Sequence, residues 1–592
     1  MKNPLSVYRS ATAPLPTSYK LWPLYGAGLE NLGKDGQPID VPMPSYGPDE
    51  LLIRHDACGL CFSDTKVIAQ GQNHPRIYRD MQKEPVVLGH EVSMTIVGVG
   101  KNLRDQYKVG ERLTLETDII VNGKTLAYGY WYQGGLSQYS VIGPEIYASD
   151  IGNNLIKVRP ATSYSEIALT EPWACVVAAY ALKYRTGLKA GGITWVIGAG
   201  DDARESPDAA RIAPRDYTIS AGFDSTSHPS RLLMTNVPAA FASWLRQRAK
   251  ALGVEVTDVP DPDALPVPFV DDIVLLGTDA DLIEKVSPRL DQLGILAILA
   301  DRPLTRKVNV DVGRIHYQRW VYVGSRGTDV AVAYTPPVRS NLKGGGRAWF
   351  VGAGGPMGRM HVQRAIGFNN PPAVIVCSDV SDMRLSELCD AFSDQARAKG
   401  IEFICLNPTN HSDYQARMAA FKGGIGGQRP TDHRSAGFDD IIVLAPIAAV
   451  ISDAANYLAA DGVMNVFAGV ARGTLAALDL SGAYQKNTRV IGHSASWMTD
   501  FMLVLEKTST GELSPNRSVA AIGSLSAARD GLKAVKDATL AGKVVIYPNI
   551  KEMPLTPLAE FKEKFPSVYT RLNELGEWTH AAEEEFLRLM LP

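Results

Sequence analysis

A nucleotide-type loop occurs twice in this chain of 592 residues, once complete and once interrupted. Residues 342–354 read LKGGGRAWFVGAG and continue as GPMGRM, which completes a strand–GxGxxG–helix turn. Residues 188–200 read LKAGGITWVIGAG but continue as DDARES, without the third glycine. A repeat must be recognised before a fold is assigned, because each copy is a structural unit. The sequence therefore predicts two domains of one type, of which one binds a cofactor.

Similarity between the two copies extends well beyond the loop. Residues 269–300 and 438–469 both read as a buried apolar strand, a helix and a second strand, and residues 319–329 and 488–500 each supply a third strand. Short apolar runs that alternate with helical patterns are typical of βαβ units and a parallel sheet. We therefore expect an α/β fold with two tandem, doubly wound Rossmann-type domains that arose by duplication.

The second copy meets the requirements of a dinucleotide site. A pyrophosphate needs backbone N–H groups and a helix N-terminus directed at it, and glycines keep side chains out of the way. The strand at 373–378 ends at Asp379, whose carboxylate would accept hydrogen bonds from the adenosine ribose and repel a 2′-phosphate, so NAD(H) is favoured over NADP(H). A glycine-rich turn without a ligand is the alternative. The predicted cofactor-binding residues are Gly352, Gly354, Gly355, Pro356, Met357, Gly358, Asp379 and Arg384.

The first copy fails both of these requirements. Asp201 and Asp202 stand where a pyrophosphate would need room and positive potential. The strand that corresponds to the one ending in Asp379 carries Asn236 at the acidic position. We therefore expect a degenerate domain with an architectural role. A different bound ligand is the alternative.

Composition excludes several classes of partner. The net charge is -3 and there is no long basic run, so neither nucleic acid nor an anionic membrane is indicated. The longest apolar runs, such as residues 441–451, are too short to span a bilayer, and the N-terminus shows no signal pattern. Of the six cysteines, only Cys58 and Cys61 are close in sequence, so we expect no disulfide framework and a reducing cytoplasm.

Three motifs outside the repeats carry a specific resemblance. They are ACGLCFSD at 57–64, VVLGHEVSMTIVGVG at 86–100 and ALTEPWACVVAAY at 168–180. Together they resemble the catalytic domain of the zinc-dependent medium-chain alcohol and polyol dehydrogenases, and their wording is similar to the sorbitol dehydrogenase and sorbose-1-phosphate reductase branch. The resemblance covers residues 40–185, the second nucleotide domain and a C-terminal stretch at 524–548. The extra degenerate domain departs from the usual layout of that family.

The resemblance implies a catalytic zinc site, and the chemistry of the residues agrees with it. A catalytic zinc takes about three N, S or O ligands from the protein and keeps an open position. Cys61, His90 and Glu171 are the predicted ligands, and Glu91 is expected either to bind the metal directly in some states or to lie beside it as a catalytic group. A redox Cys58–Cys61 pair is an alternative, although we expect Cys58 to be structural.

Other residues are assigned to proton transfer and to the substrate. By the same resemblance, Asp64 should orient the histidine ligand, and Ser63 should take the substrate hydroxyl proton and pass it to solvent. His74 is a candidate for the proton path, and Arg76 and Arg79 are candidates for a substrate phosphate. A solvated loop is the alternative reading of this segment, and the aromatic stretch at 128–135 is expected to form a wall of the cleft.

One further metal site of many such dehydrogenases is not expected here. In that family, four closely spaced cysteines often hold a structural zinc. The region between Glu111 and Tyr147 contains no cysteine, so we predict one catalytic zinc and no structural zinc. The family glycine after the G-H-E motif is replaced by Met94, which we expect to pack within a barrel strand.

The predicted organisation has four segments. Residues 1–187 should form a GroES-like β-barrel catalytic domain that is completed by residues 506–592, while residues 188–335 and 342–505 form the degenerate and the intact nucleotide domains. Dehydrogenases of this family dimerise by pairing the edge strands of their nucleotide domains. A tandem copy could take the place of the partner and cover an exposed sheet edge, so we expect an intrachain pseudo-dimer, with a homo-oligomer still open.

The function implied by the resemblance is hydride transfer. A zinc-dependent oxidoreductase would transfer hydride between NAD(H) and a secondary alcohol or ketone of a polyol, sugar or sugar phosphate. Two alternatives stay open: a non-catalytic NAD(H)-binding sensor or scaffold, because one nucleotide loop is already defective, and a dehydrogenase of an amino alcohol such as threonine. A zinc-free reductase of the same superfamily is disfavoured by the three predicted ligands.

Overall fold

The computed structural model describes residues 4–199, 215–422, 436–493 and 495–592. Asp201 and Asp202, which carry the prediction of a defective first loop, lie outside the described residues. Within the described ranges, no helix combines the length and the apolar character needed to cross a bilayer.

The first part of the chain is mostly antiparallel β-structure. Its strands are β1 (Ser18–Leu21), β2 (Pro23–Leu24), β3 (Ile39–Pro42), β4 (Leu51–Gly59), β5 (Val86–Val87), β6 (Glu91–Val99), β7 (Arg112–Leu115), β8 (Asp118–Val121), β9 (Lys124–Ala127), β10 (Tyr139–Ile142) and β11 (Leu155–Val158). Its helices are α1 (Pro4–Ser10), α2 (Phe62–Gln70), α3 (Pro144–Tyr147), α4 (Tyr164–Ala168) and α5 (Thr170–Ala178). Strand β4 is buried along its whole length and pairs antiparallel with β6. This pairing sets Gly59 opposite Glu91, and so brings the turn before α2 next to the start of β6.

The first nucleotide-type domain contains a six-stranded parallel sheet. Its strands are β12 (Ile193–Gly198), β13 (Arg231–Thr235), β14 (Glu255–Asp258), β15 (Val270–Leu276), β16 (Leu290–Leu299), β17 (Val308–Asp311) and β18 (Val321–Ser325). Its helices are α6 (Ala239–Leu252), α7 (Ala280–Val286), α8 (Val312–Gln318) and α9 (Val330–Ala333). The sheet order is β14-β13-β12-β15-β16-β18, and β17 lies outside this sheet.

The second nucleotide-type domain repeats this arrangement. Its strands are β19 (Arg347–Val351), β20 (Val374–Ser378), β21 (Glu402–Leu406), β22 (Phe438–Val443), β23 (Leu458–Val466), β24 (Leu475–Leu478) and β25 (Arg489–Gly492). Its helices are α10 (Pro356–Gly367), α11 (Asp382–Ala398), α12 (His411–Lys422), α13 (Ala448–Ala455), α14 (Gly482–Gln485) and α15 (Met498–Ser509). The sheet order β21-β20-β19-β22-β23-β25 matches the first domain strand for strand, which confirms the predicted α/β class and the tandem duplication.

Equivalent side chains make equivalent contacts in the two copies. The indole N–H of Trp195 donates to the hydroxyl of Thr235, and that of Trp349 donates to Ser378, each at 2.9 Å. Both hydroxyl residues end the neighbouring parallel strand in the same register. Asn236 therefore occupies in the first copy the position that Asp379 occupies in the second.

The C-terminal part of the chain returns to the first sheet. Its strands are β26 (Val519–Ser524), β27 (Lys543–Tyr547) and β28 (Thr556–Pro557), and its helices are α16 (Ala528–Lys536), α17 (Phe561–Lys564), α18 (Pro566–Tyr569) and α19 (His580–Met590). Strand β27 pairs antiparallel with β4, and the sheet runs β11-β7-β6-β4-β27-β26-β28, with β10 also paired to β4. The boundary predicted between residues 505 and 506 falls inside α15, so a continuous helix makes the connection there.

The two nucleotide-type domains pack against each other through corresponding elements. Strand β17 of the first pairs antiparallel with β24 of the second, from Val308↔Leu478 to Asp311↔Leu475. Helix α8 packs on β25, α14 packs on β18, and the edge strands β18 and β25 lie next to each other without joining into one hydrogen-bonded sheet. One continuous apolar core extends through both domains. Each element thus meets the counterpart of its own neighbour, as at a two-fold interface between identical subunits.

A disulfide bond links Cys389 and Cys405 in the second nucleotide-type domain. The first cysteine lies on α11 and the second on β21, 16 residues later in the chain. The expectation that the cysteines stay unpaired is wrong for these two, because the packing of α11 beside β21 brings them together. Cys58 and Cys61 are both free.

Candidate functional site

A cleft separates the catalytic sheet from the second nucleotide-type domain. It encloses about 390 Å³. The turn into α2 supplies one wall with Cys61, Ser63 and Lys66, and the glycine-rich loop before α10 faces it. The lining residues predicted from the sequence as a cofactor loop are Gly352, Gly355, Pro356, Met357, Gly358 and Arg384. The predicted metal ligand Cys61 and most of the predicted cofactor residues thus line one cavity.

Three predicted metal ligands lie together at this cleft. The sulfur of Cys61, a ring nitrogen of His90 and a carboxylate oxygen of Glu91 are all within 4.8 Å of one another. Cys61 is the residue that precedes α2, and the other two stand where β6 begins, so the β4–β6 pairing assembles the group. A thiolate, an imidazole and a carboxylate are the donor types that zinc binds in proteins.

A second carboxylate fixes the orientation of the imidazole. Asp64 accepts a hydrogen bond from the Cys61 backbone N–H at 3.0 Å through one oxygen and lies 3.2 Å from Nδ1 of His90 through the other. Burial alone would lower the pKa of His90, but the charge and hydrogen bond of Asp64 raise it well above its usual value. The hydroxyl of Ser63 lies 3.3 Å from Nε2. The ring therefore presents Nε2 to the serine and the cleft, as predicted for Ser63 and Asp64.

Glu91 is held by a lysine that sequence reasoning missed. Its Oε1 forms a buried ion pair with Lys543 of β27, whose ammonium also donates to the carbonyl of Leu60 at 3.1 Å. The other oxygen, Oε2, is buried and has no hydrogen-bond partner among the described residues. A Cβ on Gly59 would stand 2.1 Å from this oxygen, so the glycine makes room for it. Glu91 thus keeps one free acceptor beside the thiol and the imidazole.

Glu171 lies near this group without belonging to it. It is in the first turn of α5, is buried, and accepts a weak hydrogen bond from the thiol of Cys175 at 3.7 Å. Burial raises the pKa of Glu171, and the charges of His90, Glu91 and Lys543 act on it. Among the described residues, the cluster of close donor atoms contains Glu91 rather than the predicted Glu171. The thiol of Cys175 also lies 3.9 Å from the hydroxyl of Ser496.

Tyr130 contacts both His74 and His90 of the Cys61–His90–Glu91 cluster. Its ring meets the imidazole of His90 edge-on at 5.8 Å and that of His74 at 5.6 Å. Burial raises the pKa of Tyr130 to about 12, and its hydroxyl hydrogen-bonds with Ser63. Burial, helped by the charge of Arg76, lowers the pKa of His74 to about 4, so this imidazole is neutral at physiological pH. The aromatic stretch at 128–135 was expected to form a wall, but the position of this tyrosine could not be read from it.

The glycine-rich loop is pinned to its neighbouring strand. The backbone N–H groups of Gly352 and Ala353 both donate to the carbonyl of Ser378, at 2.7 and 2.9 Å. Gly352 has φ +79°, which favours glycine. A Cβ on Gly358 would stand 2.1 Å from the carbonyl oxygen of Ala353, so the third glycine of the motif allows α10 to pack against the loop. Helix α10 then begins at the cleft.

Asp379 braces the same loop. One carboxylate oxygen accepts from the N–H of Gly354 at 3.0 Å and the other from Ser381 at 3.0 Å. Arg384, one turn into α11, lies beside this glycine, lines the cleft and donates to the carbonyl of Ala538. The acidic residue at the end of the second strand therefore has a structural task in addition to any contact with a ligand.

Residues 47–149 match the alcohol dehydrogenase GroES-like domain family. This segment contains the cluster of Cys61, His90 and Glu91 and the strands β4 and β6 that assemble it. This match supports a resemblance between the chain and the zinc-dependent medium-chain dehydrogenases.

Curated relatives of this chain include sugar and polyol enzymes. The uncharacterized protein YggP of Escherichia coli is 24% identical over 550 residues, which cover 92% of this chain and 91% of that protein. Mannitol-1-phosphate 5-dehydrogenase of Aliivibrio fischeri is 27% identical over 321 residues, 50% of this chain and 72% of that enzyme. L-sorbose 1-phosphate reductase of Klebsiella pneumoniae is 28% identical over 158 residues, 26% of this chain and 37% of that enzyme.

Proposed function

We propose that this protein is a zinc-dependent oxidoreductase that transfers hydride between NAD(H) and a secondary alcohol or ketone of a polyol, sugar or sugar phosphate. One observation carries the proposal: Cys61 of the Cys61–His90–Glu91 cluster and the GxGxxG loop line the same cleft. A binding protein for NAD(H) would need the loop but has no use for the cluster.

The donor set fits a zinc ion. Cys61, His90 and one carboxylate supply S, N and O, and the buried, unpartnered Oε2 of Glu91 is an acceptor that a cation would satisfy. The charges of His90 and Glu91 act on the pKa of Glu171. We propose that Glu171 can exchange with Glu91 as the carboxylate ligand. When bound, the metal polarises the substrate oxygen and lowers the pKa of its hydroxyl. We propose a single catalytic zinc and no structural zinc, since the segment 111–147 lacks cysteine.

The neighbouring side chains transfer the proton of the substrate hydroxyl. Ser63, which lies 3.3 Å from the His90 ring and hydrogen-bonds with Tyr130, is positioned to accept the proton of a substrate hydroxyl. His74 is neutral and stands on the far side of the Tyr130 ring, so it can accept that proton in turn and release it to solvent. Asp64 lies 3.2 Å from Nδ1 of His90 and holds the ring in place.

NAD(H) is the proposed cofactor. Gly355 to Gly358, which form the start of α10, line the cleft, and a helix N-terminus suits a pyrophosphate. The carboxylate of Asp379 lies at the end of β20, where it would meet the adenosine ribose and repel a 2′-phosphate. The names of the relatives support a polyol or a polyol phosphate as the proposed substrate. The proposed compartment is the cytoplasm.

Substrate-dependent reduction of NAD⁺, together with zinc content, tests this proposal. We would measure absorbance at the NADH band over polyols, sugar phosphates and threonine, and zinc by mass spectrometry. Wild-type protein should hold one zinc per chain and oxidise one class of compound, and Cys61→Ser should lose both properties. Cys58→Ser is the matched control, because this buried cysteine lies outside the cluster, and should keep its zinc. Activity that survives in Cys61→Ser would contradict the proposal.

We also propose that the first nucleotide-type domain takes the place of a second subunit. The β17–β24 pairing and the reciprocal packing of α8 and α14 support this, because they repeat the symmetry of a dimer within one chain. On this view residues 188–335 are architectural, between a catalytic unit of 1–187 with 506–592 and the cofactor domain of 342–505. Light scattering should give the 64.1 kDa of a monomer. A dimer that persists after Val310→Glu on β17 would rule this out.

A further inference from the structure

A helix of the first nucleotide-type domain comes close to Gly469, a residue that lines the cleft. A Cβ placed on Gly469, a residue that lines the cavity, would stand 3.4 Å from the hydroxyl of Tyr317 and 4.0 Å from Nε2 of His316, both on α8. The same point is 3.1 Å from the ammonium of Lys66 on α2. Residues from three separate parts of the chain therefore meet at one spot.

The charges at this spot are predominantly positive. Lys66 donates to the carbonyl of Gly469 at 3.3 Å and forms no ion pair with a described carboxylate. Arg472 lies 5.0 Å over the ring of Tyr317, and it too has no carboxylate partner among the described residues. Arg76 is paired with Asp118, which leaves part of its guanidinium free to donate.

The positive charges of the neighbouring side chains affect the pKa values of Tyr317 and His316. The positive charges of Arg472 and Arg76 both act on Tyr317, whose pKa burial raises. Burial lowers the pKa of His316 to about 4, with the charges of Lys66 and Arg472 acting in the same direction. The imidazole is thus neutral and adds no competing charge.

We propose that Tyr317, Arg472, Lys66 and Arg76 form a subsite for the phosphate monoester of a phosphorylated polyol or ketose. This inference rests on the proposed function and names its substrate class. A dianionic phosphate accepts several charged hydrogen bonds at once, which suits two unpaired cations and a phenol hydroxyl. Arg79, the other predicted phosphate ligand, instead stacks 4.3 Å over Trp131 and donates to its carbonyl, so it takes no part.

The distance to the reaction centre suits an acyclic sugar phosphate. Lys66 lies one helical turn after Ser63 on α2, and side chains three residues apart on a helix have Cβ atoms about 5–6 Å apart. A substrate with its reacting hydroxyl at Ser63 can therefore place a phosphate a few carbon atoms further on, beside Lys66 and Arg472. The degenerate domain, through Tyr317, then completes the substrate pocket of the intact one.

The preference for a phosphorylated over a free polyol tests the subsite. We would measure kcat/KM for mannitol 1-phosphate and for mannitol, and take their ratio. Wild-type protein should favour the phosphate by roughly 100-fold or more. Arg472→Gln, an exposed position where folding is not at stake, should lower the ratio roughly 10- to 100-fold, and Tyr317→Phe by roughly 10-fold. The exposed Arg397→Gln on α11 is the matched control and should leave the ratio as it is.

Three results would overturn the subsite. They are a wild-type ratio near one, an equal loss for both substrates in Arg472→Gln, and an unchanged ratio in Tyr317→Phe. If neither compound is oxidised, no ratio of kcat/KM can be taken, and calorimetric titration with the same two compounds decides the subsite by itself. Binding of mannitol 1-phosphate but not mannitol, weakened in Arg472→Gln, supports it; equal or absent binding of the two overturns it. Lys66 is not used for this test because it also lines the cofactor side of the cavity.

Discussion

Replacement of Gly358 by alanine should displace the predicted cofactor loop, because the added methyl group would collide with the backbone of Ala353. The added Cβ would stand 2.1 Å from the carbonyl oxygen of Ala353 and 2.5 Å from its carbonyl carbon, whereas ordinary contacts are 3.4 Å or longer. The loop must therefore retreat by about 1 Å. It cannot do so freely, because Gly352 and Ala353 are both hydrogen-bonded to Ser378.

The magnitude follows from two opposing effects. Alanine is favoured over glycine inside a helix by up to about 1 kcal/mol, so the helix alone would gain. Forcing a methyl group into a packed site costs about 1–3 kcal/mol, and here the displaced atoms are the loop that would bind the cofactor. If the strain is expressed in binding, the Kd for NADH rises roughly 5- to 150-fold. The melting temperature should fall as well.

Two other glycines separate steric strain from direct contact with the cofactor. Gly367, at the end of the same helix, and Gly355, at the start, both have open space where a Cβ would stand. Gly367→Ala should change neither property. Gly355→Ala should keep the melting temperature but weaken NADH binding, because its methyl group would project into the cleft. NADH fluorescence titration and thermal unfolding measure the two effects. Wild-type NADH affinity in Gly358→Ala would refute the reasoning.

Three further predictions concern stability. Lys543→Met should lower the free energy of unfolding in urea by about 3–5 kcal/mol, because it removes the ion-pair partner of the buried Glu91. Adding Glu91→Gln should restore much of the loss. No recovery would mean that the pair is not coupled. Burial lowers the pKa of His361 to about 3, so the unfolded chain binds more protons than the folded chain as pH falls below 6.5, and stability declines. His361→Gln should reduce the slope of unfolding free energy against pH by about 1.4 kcal/mol per pH unit between pH 6 and 4. An unaltered slope would argue against a neutral His361. Reduction with dithiothreitol should remove about 3 kcal/mol of stability from the second nucleotide-type domain, and Cys389→Ser should abolish that sensitivity.

Local motifs were predictable because one strand, turn or helix defines their geometry. The GxGxxG turn follows from glycines at fixed spacing between a strand and a helix. The orientation of His90 by Asp64 joins α2 to the start of β6, and it was expected only from the resemblance to a known family. The repeat was visible for the same reason, since each copy retains its own sequence of strands and helices.

Contacts between distant segments were not predictable in this way. Lys543 lies 452 residues from Glu91, and only the return of β27 to β4 brings them together. The choice between Glu91 and Glu171 as neighbour of Cys61 depends on how α5 is set against β6, which sequence spacing does not contain.

By itself, the sequence determined the α/β class, the duplication, the intact and altered cofactor loops, and the residue types of a metal site, because these depend on periodicity and on glycine and ligand spacing within single elements. The tertiary structure alone decided that the degenerate domain meets the intact one through β17 and β24, and that Tyr317 lies beside Arg472 and close to Gly469. Such meetings depend on which faces of separately formed elements bury each other, and burial is a property of the assembled chain.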